Sequence, residues 1–227
     1  MRTFRVVIIL GAVGLVLSAC NAFIPNQQLT NPLGLNNTKV TLGSTNITGL
    51  GTQALHTATF QGTKNTTLTD PDLSSVPGWV KPNGFKSALS AASVALTGTS
   101  STLPSTLDVT EVIIKLTIQD GSGKPTLNWS YDTGQKTQLL TLTQTSCDTT
   151  TNQCSYSVAA GTDLNGSLVP VDLSSSDVGT LWTILDGGAT TDNVTIDATV
   201  DVAGSTAVPA GTQMILTIGN KTGTLSF

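Results

Sequence analysis

Beyond Arg5 the chain has no arginine, and it holds one histidine, His56, and one glutamate, Glu111. A single imidazole rules out a histidine-built zinc site and leaves a Ser-His-Asp triad resting on His56 alone. Charged residues make up 11% of the 227, against roughly a quarter in an ordinary globular chain. The lysines are scattered singly from Lys39 to Lys221. Nucleic-acid phosphates are gripped by clustered Lys and Arg, so nucleic acid is excluded as a partner. There is no Gly-x-Ser-x-Gly elbow, no Ser-x-x-Lys, no phosphate loop and no dinucleotide fingerprint. Aromatics are only 4%, which makes any pairing among them informative. What is abundant is hydroxyl: Ser and Thr supply roughly a quarter of the residues. Thr is β-branched and suits pleated, half-buried positions, whereas the scarce Glu and Lys suit helices. The composition points to an all-β chain.

The one long apolar run lies at the start. Met1-Arg-Thr-Phe-Arg5 is short and basic, and Val6 to Leu17 is almost wholly apolar but too short to span a bilayer comfortably. The run ends Leu17-Ser18-Ala19-Cys20, which resembles the lipobox of bacterial lipoproteins. That resemblance covers about twenty residues. It implies a signal peptide over 1–19, cleavage before Cys20, and acylation of the Cys20 thiol and new amine, with two or three chains giving a stable membrane anchor. Asn21 stands where Asp would signal inner-membrane retention, which favours the outer membrane or cell surface. Asn21 to Asn37 contains Pro25, Pro32 and Gly34 without sustained periodicity and is read as a tether, so the expected organisation is leader 1–19, lipidated Cys and tether 20–37, and one domain over 38–227.

With Cys20 given to lipid, Cys147 and Cys154 remain. They bracket six residues between two strand-like runs and can form a disulfide at a hairpin end in an oxidising compartment. The competing use, a metal pair, lacks any further Cys or nearby His.

Alternation with a period of two is clearest over Glu111 to Gln119, where Val112, Ile114, Leu116 and Ile118 share a face. Asn193 to Val202 repeats it with Val194, Ile196, Ala198, Val200 and Val202 inward, and Gln213 to Ile218 repeats it through Met214, Leu216 and Ile218. Weaker strands are expected over Lys39 to Leu42, Gln53 to Phe60, Ala88 to Leu96, Thr126 to Tyr131, Gln138 to Thr145, Ser155 to Ala159, Leu168 to Leu173 and Gly223 to Phe227. Turn signals at Asp120–Lys124, Asp132–Gly134, Asp163–Gly166 and Gly219–Gly223 make consecutive strands antiparallel. One helix is expected over Ser175 to Leu185, capped by Ser174 or Ser175 and stopped by Gly187-Gly188. Some ten antiparallel strands with one crossover helix predict a β-sandwich, Ig-like or jelly-roll, with a closed β-barrel as the alternative.

Few residues offer chemistry. His56 shares a strand face with Ala54, Ala58 and Phe60 and reads as half-buried packing. Asp197 and Asp201 fall on an outward face, where a solubilising stripe is commoner than a glycosidase pair. Asp70 with Asp72, Asp163 with Asn165, and Asp186 with Asp192 place oxygen donors in loops, yet none matches an established calcium-loop spacing, so no metal or other cofactor is assigned. Candidate contact residues are Trp129 and Tyr131, two apart on one strand face, and Trp79 in the long irregular stretch Asp70 to Gly84. The functional expectation is a non-enzymatic accessory lipoprotein that meets envelope proteins, with a carbohydrate- or small apolar ligand-binding module as the alternative.

Overall fold

Period-two alternation becomes strand throughout. The computed structural model describes residues 25–48, 56–98, 102–160 and 169–227. The expectations for the leader, for Cys20, for residues 53–55 and for Asp163 with Asn165 lie outside these residues. In chain order the described elements are β1 (Gln27–Thr30), β2 (Thr38–Thr48), β3 (His56–Thr69), β4 (Gly84–Thr97), β5 (Thr106–Gln119), β6 (Thr126–Asp132), β7 (Leu140–Asp148), β8 (Gln153–Ala160), β9 (Val169–Leu173), helix α1 (Ser175–Leu185), β10 (Thr191–Gly204), β11 (Gln213–Gly219) and β12 (Thr222–Ser226). Every described strand pairing is antiparallel.

The fold is an all-β sandwich whose two sheets share a strand. The first half of β4 pairs with β12 and β9, and β12 carries β1 at its far side. The second half of β4 enters the larger sheet, which runs β4-β11-β2-β3-β10-β5. The fourteen-residue β5 is likewise divided, with β7 along its first residues and β6 along its last. Because β7 pairs with β8 and β8 returns to β4, the wall is hydrogen-bonded shut on that side. This gives the sandwich one feature of the barrel alternative and leaves fewer exposed edges.

Inner faces meet across the middle. Leu89 and Val94 of β4, Val169 of β9 and Met214 and Ile218 of β11 face Val109, Val112 and Ile114 of β5, Leu140 and Leu142 of β7 and Val200 of β10 around an apolar void of about 40 Å³. At roughly 24 cal/mol per Å³ such a void costs about 1 kcal/mol. Val94→Ile adds one methylene to its wall and is expected to raise stability by about 0.5–1 kcal/mol in urea unfolding. A loss of that size would show that the void has no room for it.

Two differences from the sequence expectations concern the ends of the domain. The segment read as tether is built into the fold from Gln27 onward: β1 pairs with β12, and Leu33 and Leu35 are fully buried. Four residues are too few to show a period, and the partner strand lies almost two hundred residues away. Strands also extend further than their apolar cores suggested, the weakly patterned β4 from Gly84 and the clearly patterned β5 from Thr106.

Helix α1 has the expected bounds. The Ser174 hydroxyl caps it by accepting the Asp177 N–H, and Val178, Leu181, Trp182, Ile184 and Leu185 are buried. Among the described residues no helix is long and apolar enough to cross a membrane. Cys147 and Cys154 stand directly opposite one another in the β7–β8 ladder and are joined as a disulfide.

Candidate functional site

Polar chemistry gathers at one end of the larger sheet, where the loop after β3, the β5–β6 turn and the start of β10 meet the C-terminus of α1. Pro71, Pro77 and Pro82 restrict the loop 70–83. Its own turns are closed by the Val76 N–H to the Leu73 carbonyl at 2.9 Å and the Val80 N–H to the Pro77 carbonyl at 2.8 Å. Val76 and Val80 are buried and pin it to the core. Between these two anchors stands Trp79, 63% exposed and the one exposed large hydrophobic side chain among the described residues. Burying Trp79 would recover roughly 2–3 kcal/mol, and the anchored loop withholds that gain.

A cleft of about 370 Å³ opens between this loop and α1. Asp70, Pro71, Leu73, Ser74, Val76 and Gly78 form one wall, and Trp182, Leu185, Asp186 and Gly188 form the other. Trp182 is held edge-on to Phe227, with centroids 6.1 Å apart. The cleft therefore combines apolar walls with carboxylate and hydroxyl groups, the mixture found in small-molecule sites.

Three carboxylates lie together beneath the cleft. The register of β3, β10 and β5 produces this: Thr191 opposes Thr69 and Asn193 opposes Gln119, so Asp70, Asp192 and Asp120 come level at the same sheet end. Asp192 is fully buried and Asp120 is 2% exposed. Each is fixed by one oxygen. Asp192 Oδ1 accepts the Gly121 N–H at 3.1 Å, and Asp120 Oδ1 accepts the Ser122 N–H at 2.7 Å and the Ser122 hydroxyl. The other oxygens, Asp192 Oδ2 and Asp120 Oδ2, are buried with no N–H or hydroxyl donor, as is Asp70 Oδ1, and Asp70 and Asp192 pair with each other. Burial raises the Asp70 pKa to about 7, helped by the hydrogen bond and charge of Asp192, and burial also raises Asp192. Asp120 moves the opposite way, held low by its Ser122 hydrogen bonds.

Glycine permits the close approach. A Cβ at Gly187 would sit 2.6 Å from Asp120 Oδ2, and one at Gly121 would sit 2.6 Å from the Thr191 carbonyl oxygen. Only backbone bare of side chain can close over the carboxylates there.

The sequence candidates separate in space. Trp129 and Tyr131 stack with centroids 6.2 Å apart and planes 12° from parallel. They stand opposite Leu116 and Ile114 on the inner face of β6, half-buried against the core, so they extend the packing more than they offer a free platform. Among the described residues Trp79 makes no ring contact with either. His56 opens β3, and its Nδ1 is buried without a hydrogen-bond partner. Asp197 is exposed and accepts from the Thr63 hydroxyl, as expected of a surface stripe. The Asp pairs read from loop positions are regrouped: Asp70 meets Asp192 and Asp120 in place of Asp72. The signal was available, because each of these Asp residues borders a Thr- or Gln-ended alternating run, but only strand register shows that the three ends coincide.

No family model and no curated protein matches the chain. The solved structure of TmCBM61 in complex with β-1,4-galactotriose is 9% identical, with a TM-score of 0.26, covering 86% of this chain and 95% of that one. That similarity is too low to bear on fold or ligand.

Proposed function

We propose that the chain is a non-catalytic glycan-binding module held on the bacterial cell envelope, at the outer membrane or cell surface, by acylated Cys20. The anchor rests on the lipobox motif Leu17-Ser18-Ala19-Cys20, and mass spectrometry of the N-terminal peptide from a bacterial host tests it: acyl chains on Cys20 support it, and an intact unacylated leader contradicts it.

The observation that carries the ligand class is Trp79, raised 63% exposed between buried Val76 and Val80 in the loop that forms one wall of an open cleft through Asp70 to Gly78. An exposed, rigidly mounted indole is a stacking surface for the C–H face of a sugar ring. Asp70, Asp186 and Ser74 in the adjoining walls supply the hydroxyl-pairing oxygens that give such a surface orientation. The non-catalytic part of the reading rests on His56, which sits apart from the cleft elements as a strand residue with no hydrogen bond at Nδ1.

A glycan array probed with the chain, followed by titration of the best ligand, tests the reading. Trp79→Ala is expected to weaken that binding at least roughly tenfold, while unfolding stability stays within about 0.5 kcal/mol. A blank array, or equal affinity in the variant, contradicts it.

A protein-partner reading has one specific support, the outer edge of β6, which among the described residues pairs on one side only and offers an edge for strand addition. Crosslinking in whole envelope that retrieves a stoichiometric protein, together with a blank array, would select it.

A further inference from the structure

We propose that Asp70 and Asp192 share one proton at the end of the β3–β10 pairing, and that this proton latches the loop 70–83 to the sheet until rising pH removes it. The inference concerns how the loop is mounted and does not depend on what Trp79 binds.

Register brings the two carboxyls together. Asp192 stands opposite Leu68, and Asp70 lies two residues beyond Leu68 with its N–H on the Thr190 carbonyl at 3.4 Å. Side chains of a strand alternate between faces, so Asp70 turns to the same inner face as buried Leu68 and Asp192, in the diagonal position where cross-strand side chains meet. The two carboxyl groups hydrogen-bond to each other. An ionised carboxylate only accepts, so two of them bond only while one keeps its proton. No other donor takes that place among the described residues: Asp192 Oδ1 accepts the Gly121 N–H at 3.1 Å, whereas Asp192 Oδ2 and Asp70 Oδ1 are buried with no N–H or hydroxyl donor.

The surroundings keep the proton there. Asp120, at the β5–β6 turn, is held ionised by its Ser122 hydrogen bonds, and its charge opposes a second negative charge on the pair. Helix α1 ends on Asp186 and has no basic residue in its last turn. The loop adds Asp72, whose Oδ1 accepts the Ser74 N–H, and one exposed lysine, Lys81. Lys124, in the β5–β6 turn, is exposed as well. On β3 the nearest charged residue is Lys64, about 20 Å away along the strand, and on β10 it is Asp197. The one ion pair among the described residues joins Lys86 to Asp172, so no cation neutralises the pair and a proton does.

Burial, the hydrogen bond to Asp192 and the charges of Asp192 and Asp120 raise Asp70 to about 7 from its ordinary 3.8, and burial raises Asp192 as well. The folded chain thus holds a proton that the unfolded chain has released by about pH 4. Stability therefore falls as pH rises from about 4 to about 7 and is level above that. At the upper end two negative charges face each other at the root of the loop, with a third on Asp120. Asp192 is 0% exposed and held by Gly121, while Asp70 is half-buried. Asp70 is therefore the one that swings out, carrying Pro71 and Leu73 of the cleft wall with it.

The test follows the full chain from about pH 5 to about pH 8 by three readouts: thermal unfolding, carboxyl-carbon resonances of the aspartates, and hydrogen exchange of the Val76 and Val80 amides corrected for intrinsic rate. One carboxyl of the pair is expected to titrate near neutral pH, Tm to fall by roughly 3–6 °C, and loop exchange to quicken about tenfold. Asp192→Asn keeps an oxygen for the Gly121 N–H and offers Asp70 a permanent N–H donor. It should remove most of the pH dependence of both Tm and loop exchange, and Asp70→Asn should do the same at a more exposed position. Both carboxyls titrating below about pH 5 in the unsubstituted chain would overturn the shared proton. Near-neutral titration with unchanged Val76 and Val80 exchange would overturn the latch, and full pH dependence in a folded variant would place its origin elsewhere.

Discussion

Replacing Phe60 by alanine is expected to remove about 3–5 kcal/mol of unfolding free energy. Phe60 is fully buried in the first half of β3 and stands opposite Ser44 of β2 and Val200 of β10, its neighbours on either side in the larger sheet. Leu42 and Val202 are also fully buried in the strands on either side. A ring removed from such a position leaves a cavity that a hydrogen-bonded sheet cannot collapse, because its strands are held near 4.8 Å apart by the ladder. Since domains of this size are stable by only about 5–15 kcal/mol, the variant should unfold at much lower urea. Phe60→Leu, which keeps most of the volume, should lose clearly less. A loss below about 1 kcal/mol for the alanine variant would mean that the inner face of β3 is not core.

Breaking the Cys147–Cys154 disulfide is expected to cost about 2–3 kcal/mol through the freedom regained by the unfolded chain, lowering Tm by roughly 5–10 °C. The ring is small, with a sequence separation of seven, which limits the entropic effect. Its position adds importance. The bond ties together the turn end of β7 and β8, and β8 is the strand that closes the wall onto β4 at Val94 to Thr97. Loosening that hairpin should also loosen the closure. The double variant Cys147→Ala with Cys154→Ala isolates the effect without a free thiol, and unfolding by denaturant with and without reductant gives an independent measure. Equal stability of oxidised and reduced protein would contradict the assigned role.

The parts of this architecture legible in the sequence are those where one strand has one environment. In β10 every second residue from Asp192 to Val202 is buried, and the pattern Val194, Ile196, Ala198, Val200, Val202 is visible without a structure. The helix was equally plain, because a serine cap, a one-faced apolar set and a double glycine agree. Less could be seen where a strand changes neighbours along its length. β4 passes from β12 and β9 to β11 and β8, with a register shift opposite Thr217 and Ile218, and its small residues Ala88, Ala91 and Ala92 dilute any alternation. The candidate site was half legible. Trp79 stands out as an aromatic in a proline-rich loop, but the carboxylates assemble from three strands distant in sequence. Asp192 looked like a loop partner of Asp186, and Asp120 like an ordinary turn residue. Strand register, a long-range property, decides that they meet.

The proposed binding face is this end of the sandwich, around the loop that carries Trp79. Amide resonances recorded during titration with the best array glycan test it most directly. Changes concentrated in residues 70–83 and 185–192, with the Trp79 indole N–H among the largest, are the predicted result. Changes confined to the outward faces of β3, β5 and β10, with the Trp79 indole unmoved, would contradict it.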